Sequence, residues 1–218
     1  MMQIKVITTK DGSKSLYLPE MNETYHSKFG AKTESEHVFI QAGYRQISKS
    51  EIHILEIGFG TGLNVLLTLI EQNTTPKKIY FETLEKYPLP DIIINEINNF
   101  EDEQLSTLYK QIHKAPWNKG FAINPNFVLH KKHVDLQQFK PKIKFDLIYF
   151  DAFAPNKQPE MWTLKIFQKM YEALTENGVL VTYSAKGSVR RTMQAAGFTV
   201  ERIPGPPGKR EMLRAIKK

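Results

Sequence analysis

Short apolar runs alternate with amphipathic stretches along most of the chain, and this alternation limits the possible fold more than any other feature. The runs are 52-IHILEIG-58, 78-KIYFETLE-85, 127-FVLHKKH-133, 145-FDLIYFD-151, 178-GVLVTYS-184 and 198-FTVERIP-204. Between them, helical periodicity covers about 62–73, 88–97, 101–114, 160–176 and 187–196. Near-continuous apolar strands separated by amphipathic helices imply an α/β fold, with a mostly parallel sheet covered on both faces. Ahead of this pattern, QIKVITTKDGSKSLYL predicts a β-hairpin turning at Asp11-Gly12. Residues 20–45 read as a polar loop followed by a helix around Glu34 to Gly43, and 209-KREMLRAIK-217 reads as a last, antiparallel strand. The segment from Asn98 to Asn126 is long for a connection and predicts a small insertion over one end of the sheet. The expected organisation is one domain over 1–218, with an extension at 1–45 and a core at 46–218.

A chain of 218 residues, 41% hydrophobic and 24% charged, suits a single domain of this class. It contains no cysteine, which excludes disulfides and thiolate metal sites and fits a reducing compartment. His130 and His133, three apart on a strand, face opposite sides, so no metal centre is expected. The opening residues lack the apolar core of a signal peptide, and no run approaches the roughly 18 apolar residues of a membrane span. A cytoplasmic protein without a membrane partner is expected, and nothing in the sequence demands more than a monomer. The 30 basic and 23 acidic residues give +7, and the segment from Lys186 to Lys218 carries all of it. A basic segment on a neutral body points to an anionic partner, nucleic acid first, with a solvated basic tail as the alternative.

The first core strand runs into 58-GFGTGLN-64, spaced G-x-G-x-G. Gly58, Gly60 and Gly62 allow a sharp turn and close approach of a ligand. A dinucleotide fingerprint would place its third glycine where Leu63 stands, and a Walker loop would need a Gly-Lys-Ser/Thr that is absent. Glu56 can meet an ammonium group or hold the amides of the glycine loop, whereas it would repel pyrophosphate. Glu85, at the end of the second core strand, is suited to holding ribose hydroxyls. Asp135, after the third, could accept from an adenine amino group or simply cap a turn. This order of groups favours S-adenosylmethionine over NAD, with Gly58, Phe59, Gly60, Thr61, Gly62, Asn64, Glu85, Lys86, Asp135 and Asp151 as its expected surroundings.

LEIGFGTGLN, LEKYPL, WNKGF at Trp117–Phe121, FDAFAPNKQPEMW, SAKGSVRRTMQAAGF and GKREML together resemble the methyltransferase part of MnmC, the tRNA wobble-uridine modification enzyme. The resemblance runs from about residue 25 to 214. It implies a class I, Rossmann-like fold and methyl transfer from S-adenosylmethionine to the aminomethyl nitrogen at C5 of uridine 34 in the tRNA anticodon loop. The bifunctional enzyme also carries a flavin-dependent oxidase domain. No second glycine fingerprint occurs in these 218 residues, so FAD is not expected here and only the methylation is.

Asp151 ends the strand FDLIYFD, on the rim where open α/β sheets bind ligands. An ammonium has no lone pair, so methylating an amine needs a group to orient it and take its proton, and Asp151 is the candidate. Capping the next turn is the plainer alternative. Pro155 and Pro159 are expected to stiffen the loop that follows and to start the next helix. Phe153 is a candidate for stacking on the target base, and Trp162 reads as core. Lys186, Arg190, Arg191, Lys209 and Arg210 are candidate RNA contacts, and His26, Glu34 and Ser35 candidate pocket residues. An aminopropyltransferase of the spermidine-synthase type and a non-catalytic RNA-binding module are the rival readings.

Overall fold

The run 145-FDLIYF-150 is buried at every position, which is possible only for a central strand with packed material on both faces. The computed structural model, which describes residues 3–98 and 100–218, places it at the middle of an eight-stranded sheet. The core strands are β4 (Glu51–Ile57), β5 (Lys78–Glu85), β6 (Gly120–Asn124), β7 (Phe127–His133), β8 (Phe145–Phe150), β9 (Leu174–Thr182), β10 (Thr199–Pro204) and β11 (Glu211–Ile216). Their order is β10-β11-β9-β8-β4-β5-β7-β6. Pairing is parallel from β9 through β8, β4 and β5 to β7. It is antiparallel where β11 inserts between β9 and β10, and where β6 edges β7. The order reverses between β4 and β8, so the crevice of the fold opens above those two strands.

Each face of the sheet has its own apolar core. On one side Ile52, Ile54, Phe81, Leu129 and Tyr149 pack against α2 (Leu63–Gln72) and α4 (Glu103–Lys114). On the other, Leu55, Ile148 and Phe150 meet α5 (Leu164–Ala173) and α6 (Gly187–Ala195) through Phe167, Met170 and Met193. A short helix, α3 (Asp91–Ile97), follows β5.

The hairpin turns where expected, between β1 (Lys5–Thr8) and β2 (Lys14–Leu18), and a short β3 (Glu23–Thr24) completes a separate three-stranded sheet. The following helix begins earlier than the periodicity suggested: α1 (Ala31–Ser35) continues as a π-helical stretch, Glu36–Gln41. Leu16, Val38 and Phe39 join the core of the large sheet, so the extension is packed into the body of the molecule. The stretch from Asn98 to Asn126 does not sit over one end of the sheet. It supplies α4, whose Tyr109 and Ile112 are buried in the first core, and β6, which lengthens the sheet by a strand. The predicted 160–176 helix is split: Pro159–Trp162 form a 3-10 turn, and the Thr163 side chain then caps α5 by accepting from the Ile166 amide. The strand predicted at 178–184 starts at Leu174, directly from the end of α5.

Phe81 is fully buried, stacked on Phe127 and edge-on to Tyr149. Phe81→Ala should cost about 3–5 kcal/mol, the range for aromatic truncation in a core. Urea unfolding checks this, and a loss below about 1 kcal/mol would mean that the β4–β5–β7 face is not packed as described.

Candidate active site

The chain leaves β4 through Gly58, Gly60 and Gly62, at φ of 93°, 49° and 74°. A Cβ on Gly58 would lie 2.8 Å from the Asp151 carbonyl oxygen, while Asp151 donates its own amide to the Ile57 carbonyl at 3.0 Å. The glycine turn and the end of β8 therefore meet backbone to backbone. Gly58 and Phe59 both donate to the Leu84 carbonyl at 3.1 Å, tying the turn to β5 as well. From below, Tyr109 and His113 of α4 bond the Thr61 carbonyl at 2.9 and 3.1 Å. Phe59 points into this support, against His113 and Trp117 with ring centroids 5.3 and 5.7 Å away. Lys131 is buried here too, donating to the His113 carbonyl at 2.7 Å with its Nζ 4.8 Å from the Trp117 ring centre. Burial holds the Lys131 ammonium down at about 8 and the His113 imidazole at about 4.

The acidic residues divide the work differently from the expectation. The amide of Gly60 is held by Glu85, not by Glu56: it donates to Glu85 Oε2 at 3.0 Å, and the Tyr87 amide donates to Oε1 at 2.8 Å. Glu56 is completely buried and accepts from the Thr83 hydroxyl through Oε2, while its Oε1 has no hydrogen-bond partner. Burial, reinforced by the charge of Asp151, pushes Glu56 well above the usual carboxylate range. Asp135 both caps its turn, accepting from the Gln137 amide at 2.8 Å, and pairs with the exposed Lys86 at 2.9 Å. Lys86 holds the Asp135 carboxyl below its ordinary value.

Asp151 is partly buried, and Asn64 donates its Nδ2 to Oδ2 at 2.9 Å. Loss of hydration lifts its pKa from an ordinary 3.8 to about 7, against the stabilising bond from Asn64. Glu34 pushes in the same direction as burial and Lys209 opposes it. The extension covers this side. Tyr25 lies over Gly60 and packs edge-on to Phe153, ring centroids 5.1 Å apart, so Phe153 is half-buried by a neighbour within the chain. Trp162 is core and donates to the Phe153 carbonyl at 2.8 Å. His26 bonds the Ser15 hydroxyl at 3.0 Å and is held near 4 by burial, while the buried Ser35 hydroxyl has no partner.

The candidate RNA contacts separate into two groups. Lys186, Arg191 and Arg210 are exposed, and Arg190 is partly so. Lys209 instead turns inward, 2.7 Å from Glu34 and with its Nζ 4.1 Å from the Tyr183 ring centre. The loop after Asp151 borders a cleft of about 370 Å³, whose lining includes Ala154, Pro155, Tyr183, Lys186, Lys209, Arg210 and Glu211. Tyr183, Tyr109, His113 and Lys131 were missed from the sequence. The only hint was a lysine at an inward-facing position of the FVLHKKH strand.

Residues 97–218, more than half of the chain, match the model of a family described as S-adenosyl-L-methionine-dependent methyltransferase. The chain belongs to that family. It is 31% identical, over 89% of its length, to the tRNA 5-methylaminomethyl-2-thiouridine biosynthesis bifunctional protein MnmC of Pseudoalteromonas atlantica, and 31% over 88% to that of Ectopseudomonas mendocina. It covers 31% and 32% of those proteins, so it spans about a third of the length of the curated relatives it matches. Among solved structures it is similar to MnmC2 from Aquifex aeolicus, with a TM-score of 0.81 and 26% identity over 99% of this chain and 70% of that one. Spermidine synthase from Thermotoga maritima shares the fold, with a TM-score of 0.58 at 14% identity over 100% of this chain and 69% of that one.

The glycine turn of this methyltransferase fits the family's cofactor. S-adenosylmethionine brings ammonium and hydroxyl donors. The turn is bordered by two buried acceptor atoms without partners, Glu56 Oε1 and Asn64 Oδ1. Glu85 uses one lone pair on each oxygen for backbone amides and keeps the others. Among the described residues no group of three or more His, Asp or Glu could hold a metal ion, and no helix is long and apolar enough to cross a membrane. The close approach at Gly58 makes it the most sensitive position of the turn. Gly58→Ala combines a left-handed backbone with a clash against β8, at about 1–3 kcal/mol for the strain alone. Calorimetric titration with S-adenosylmethionine should show at least about tenfold weaker binding; unchanged affinity would mean that the turn need not touch Asp151.

Proposed function

We propose that this methyltransferase acts on the 5-aminomethyl group of wobble uridine 34 in tRNA, producing 5-methylaminomethyl(-2-thio)uridine. The observation that carries the reading is Asp151. It is a partly buried carboxylate delivered by β8 to the switch point, with its backbone against the glycine turn and the loop that follows it, Ala154 and Pro155, lining a cleft that also carries Lys186, Lys209 and Arg210. The names of the MnmC relatives supply the acceptor, and because this chain spans a third of their length only the methylation is assigned to it. The anticodon loop would enter over Lys186, Arg190, Arg191 and Arg210, which suits phosphate contacts. The chain is proposed to work in the cytoplasm as a single-domain monomer, with the extension as part of that domain.

S-adenosylmethionine, when bound, supplies a methyl carbon on a sulfonium, whose C–S bond breaks with its electron pair kept by sulfur as the N–C bond forms. Glu56, Asn64 and the amides of Gly58 to Gly62 would hold its amino-acid end. Glu85 would hold the ribose, and Lys86 and Asp135 would border the adenine. Asp151 would orient the acceptor and take its proton. Asn64 fixes Oδ2 and leaves Oδ1 for the amine. Burial brings this carboxyl near neutral pH, where a group can accept a proton and also give it up. The rest is alignment of nitrogen, methyl and sulfur by rigid surroundings. An aminopropyltransferase would share the fold and the need for a base, but the exposed Lys186 and Arg210 on the cleft would repel the further ammonium groups of a polyamine. A non-catalytic RNA-binding module would have no use for a buried, unpartnered Glu56 oxygen beside a glycine turn.

Asp151→Asn should keep cofactor affinity within about threefold and lower methyl transfer by at least about 10²-fold, the usual contribution of a positioned base. The assay is labelled S-adenosylmethionine with undermodified tRNA, read by nucleoside analysis. Label in polyamine products, or none in tRNA with the wild-type chain, would overturn the assignment. The wild-type rate should climb with pH through about 7 as Asp151 ionises, and the variant should lose that limb.

The same shift has a stability consequence. The folded-state pKa lies above the unfolded value, so the stabilisation present at low pH is lost as pH rises through about 7. Asp151→Asn should therefore melt a few degrees above wild type at pH 8, at ~2–4 °C per kcal/mol for a chain of this size. The gap should close towards pH 4, and equal melting at both pH values would refute the burial argument.

A further inference from the structure

Lys209 sits in an environment usually built for a ligand. Its Nζ is 2.7 Å from Glu34 Oε1 and 4.1 Å from the ring centre of Tyr183. Glu34 is buried, and its other oxygen accepts the Ser27 amide at 2.7 Å, so this carboxylate is held in place without the lysine. Tyr183 is fixed as well, donating its hydroxyl to the carbonyl of Ala152, the residue after Asp151, at 2.9 Å. A fixed carboxylate and the face of an aromatic ring together form a recognition site for an alkylammonium. Lys209 itself is not enclosed: its side chain is 34% exposed and lines the cleft with Lys186 and Arg210.

We propose that Glu34 and Tyr183 are the binding site for the ammonium of the acceptor, and that Lys209 is a tethered occupant which the acceptor displaces. The inference rests on the reading that the acceptor is an amine. An aminomethyl group arrives protonated, and a site for its cationic form must adjoin the group that removes the proton. Glu34 meets that requirement through its neighbours: the Lys209 ammonium it holds lies over Tyr183, whose hydroxyl is bonded to the carbonyl of Ala152, the residue next to Asp151. The exchange is balanced in charge: one ammonium leaves the carboxylate and another takes its place. The displaced Lys209 stays on the same wall as Lys186 and Arg210, where the phosphates of an RNA acceptor would meet it. The bound ammonium passes its proton to Asp151, its freed lone pair forms the N–C bond as the methyl C–S bond breaks with its electron pair kept by sulfur, and Asp151 later returns the proton to water.

The two partners can be separated by the sign of their effects. The acceptor is an anticodon stem-loop with one 5-aminomethyluridine, measured in steady state at saturating S-adenosylmethionine. Glu34→Gln keeps an acceptor for the Ser27 amide and removes the charge. It should raise KM for the stem-loop by roughly tenfold or more, the weight of a hydrogen bond to a charged group, with a much smaller effect on kcat. Lys209→Met removes the competitor and should lower that KM severalfold. A merely structural clasp between Glu34 and Lys209 would raise KM in both variants, and that result, or an unchanged KM in Glu34→Gln, overturns the proposal. Cofactor affinity measured on both variants confirms that they are folded. If the wild-type chain itself leaves this stem-loop unmethylated, the amine-acceptor reading falls and this inference falls with it; if wild type methylates it and the signs agree, only the inference is lost.

Discussion

Asp151 donates its amide to the carbonyl of Ile57, and one residue further the two strand ends come so close that Gly58 has no room for a Cβ. This contact at the ends of β4 and β8 sets the positions of the other groups in the site. Parallel pairing of Ile57 with Phe150 brings the strand ends level, so the turn after β4 and the carboxylate after β8 emerge at the same height. Asn64, in the first turn of α2, then reaches across to Asp151 Oδ2. The same rigid junction thus joins the proposed cofactor turn to the proposed base, and methyl transfer needs such a fixed relation because in-line attack tolerates little displacement.

Around that junction the two ends of the chain converge. Tyr25 lies on Gly60 and Phe153, and Phe29 packs against Gly208 in the loop before β11. His37 bonds the Pro204 carbonyl at 2.9 Å, and Lys157 donates to the Met21 carbonyl at 2.7 Å. These contacts knit the extension to the loops after β8 and β10, on the side of the site where Asp151 opens. The opposite side, behind the glycine turn, is supported by α4 through Tyr109, His113 and Lys131. The site is thus walled by segments at both ends of the sequence and by the stretch between β5 and β7, while its chemistry stands on β4, β5 and β8.

That division explains what could be read from the sequence. The strands β4, β5 and β8 are legible because a strand covered on both faces is largely apolar, β7 because its buried positions alternate with half-buried ones, and the glycines because their spacing serves a turn. Asp151 stood out as a charge at the end of such a run. The walls were not visible, because their residues are chosen for contacts distant in sequence. Glu34 and Lys209 are 175 positions apart, and Lys131 reads as one more surface lysine until α4 is seen to cover it. Strand β6 was missed because it is a half-exposed edge with no apolar signature. The early start of β9 was missed because TENG, with Asn177 at a φ of 60°, reads as a turn.

The charge of the C-terminal segment shows how a composition argument changes once partners are known. Arg214 pairs with Glu201, Arg202 with Glu211, Lys217 with Glu176 and Lys209 with Glu34. Glu201 and Glu211 are already counted in the +7, so only Lys217 and Lys209 draw on it, and Lys186, Arg190, Arg191, Arg210 and Lys218 stay outside any ion pair among the described residues. Of these only Lys186 and Arg210 line the cleft, too few to hold a nucleic acid by charge alone, since each neutralised phosphate contributes modestly and is weakened by salt. Their value lies in orientation. In the proposed reaction they would draw a phosphate backbone to the wall of the cleft and leave the discrimination to the groups inside. An acceptor that carries both a phosphate chain and a single ammonium satisfies both regions, whereas a polyamine satisfies only the inner one and a plain oligonucleotide only the rim.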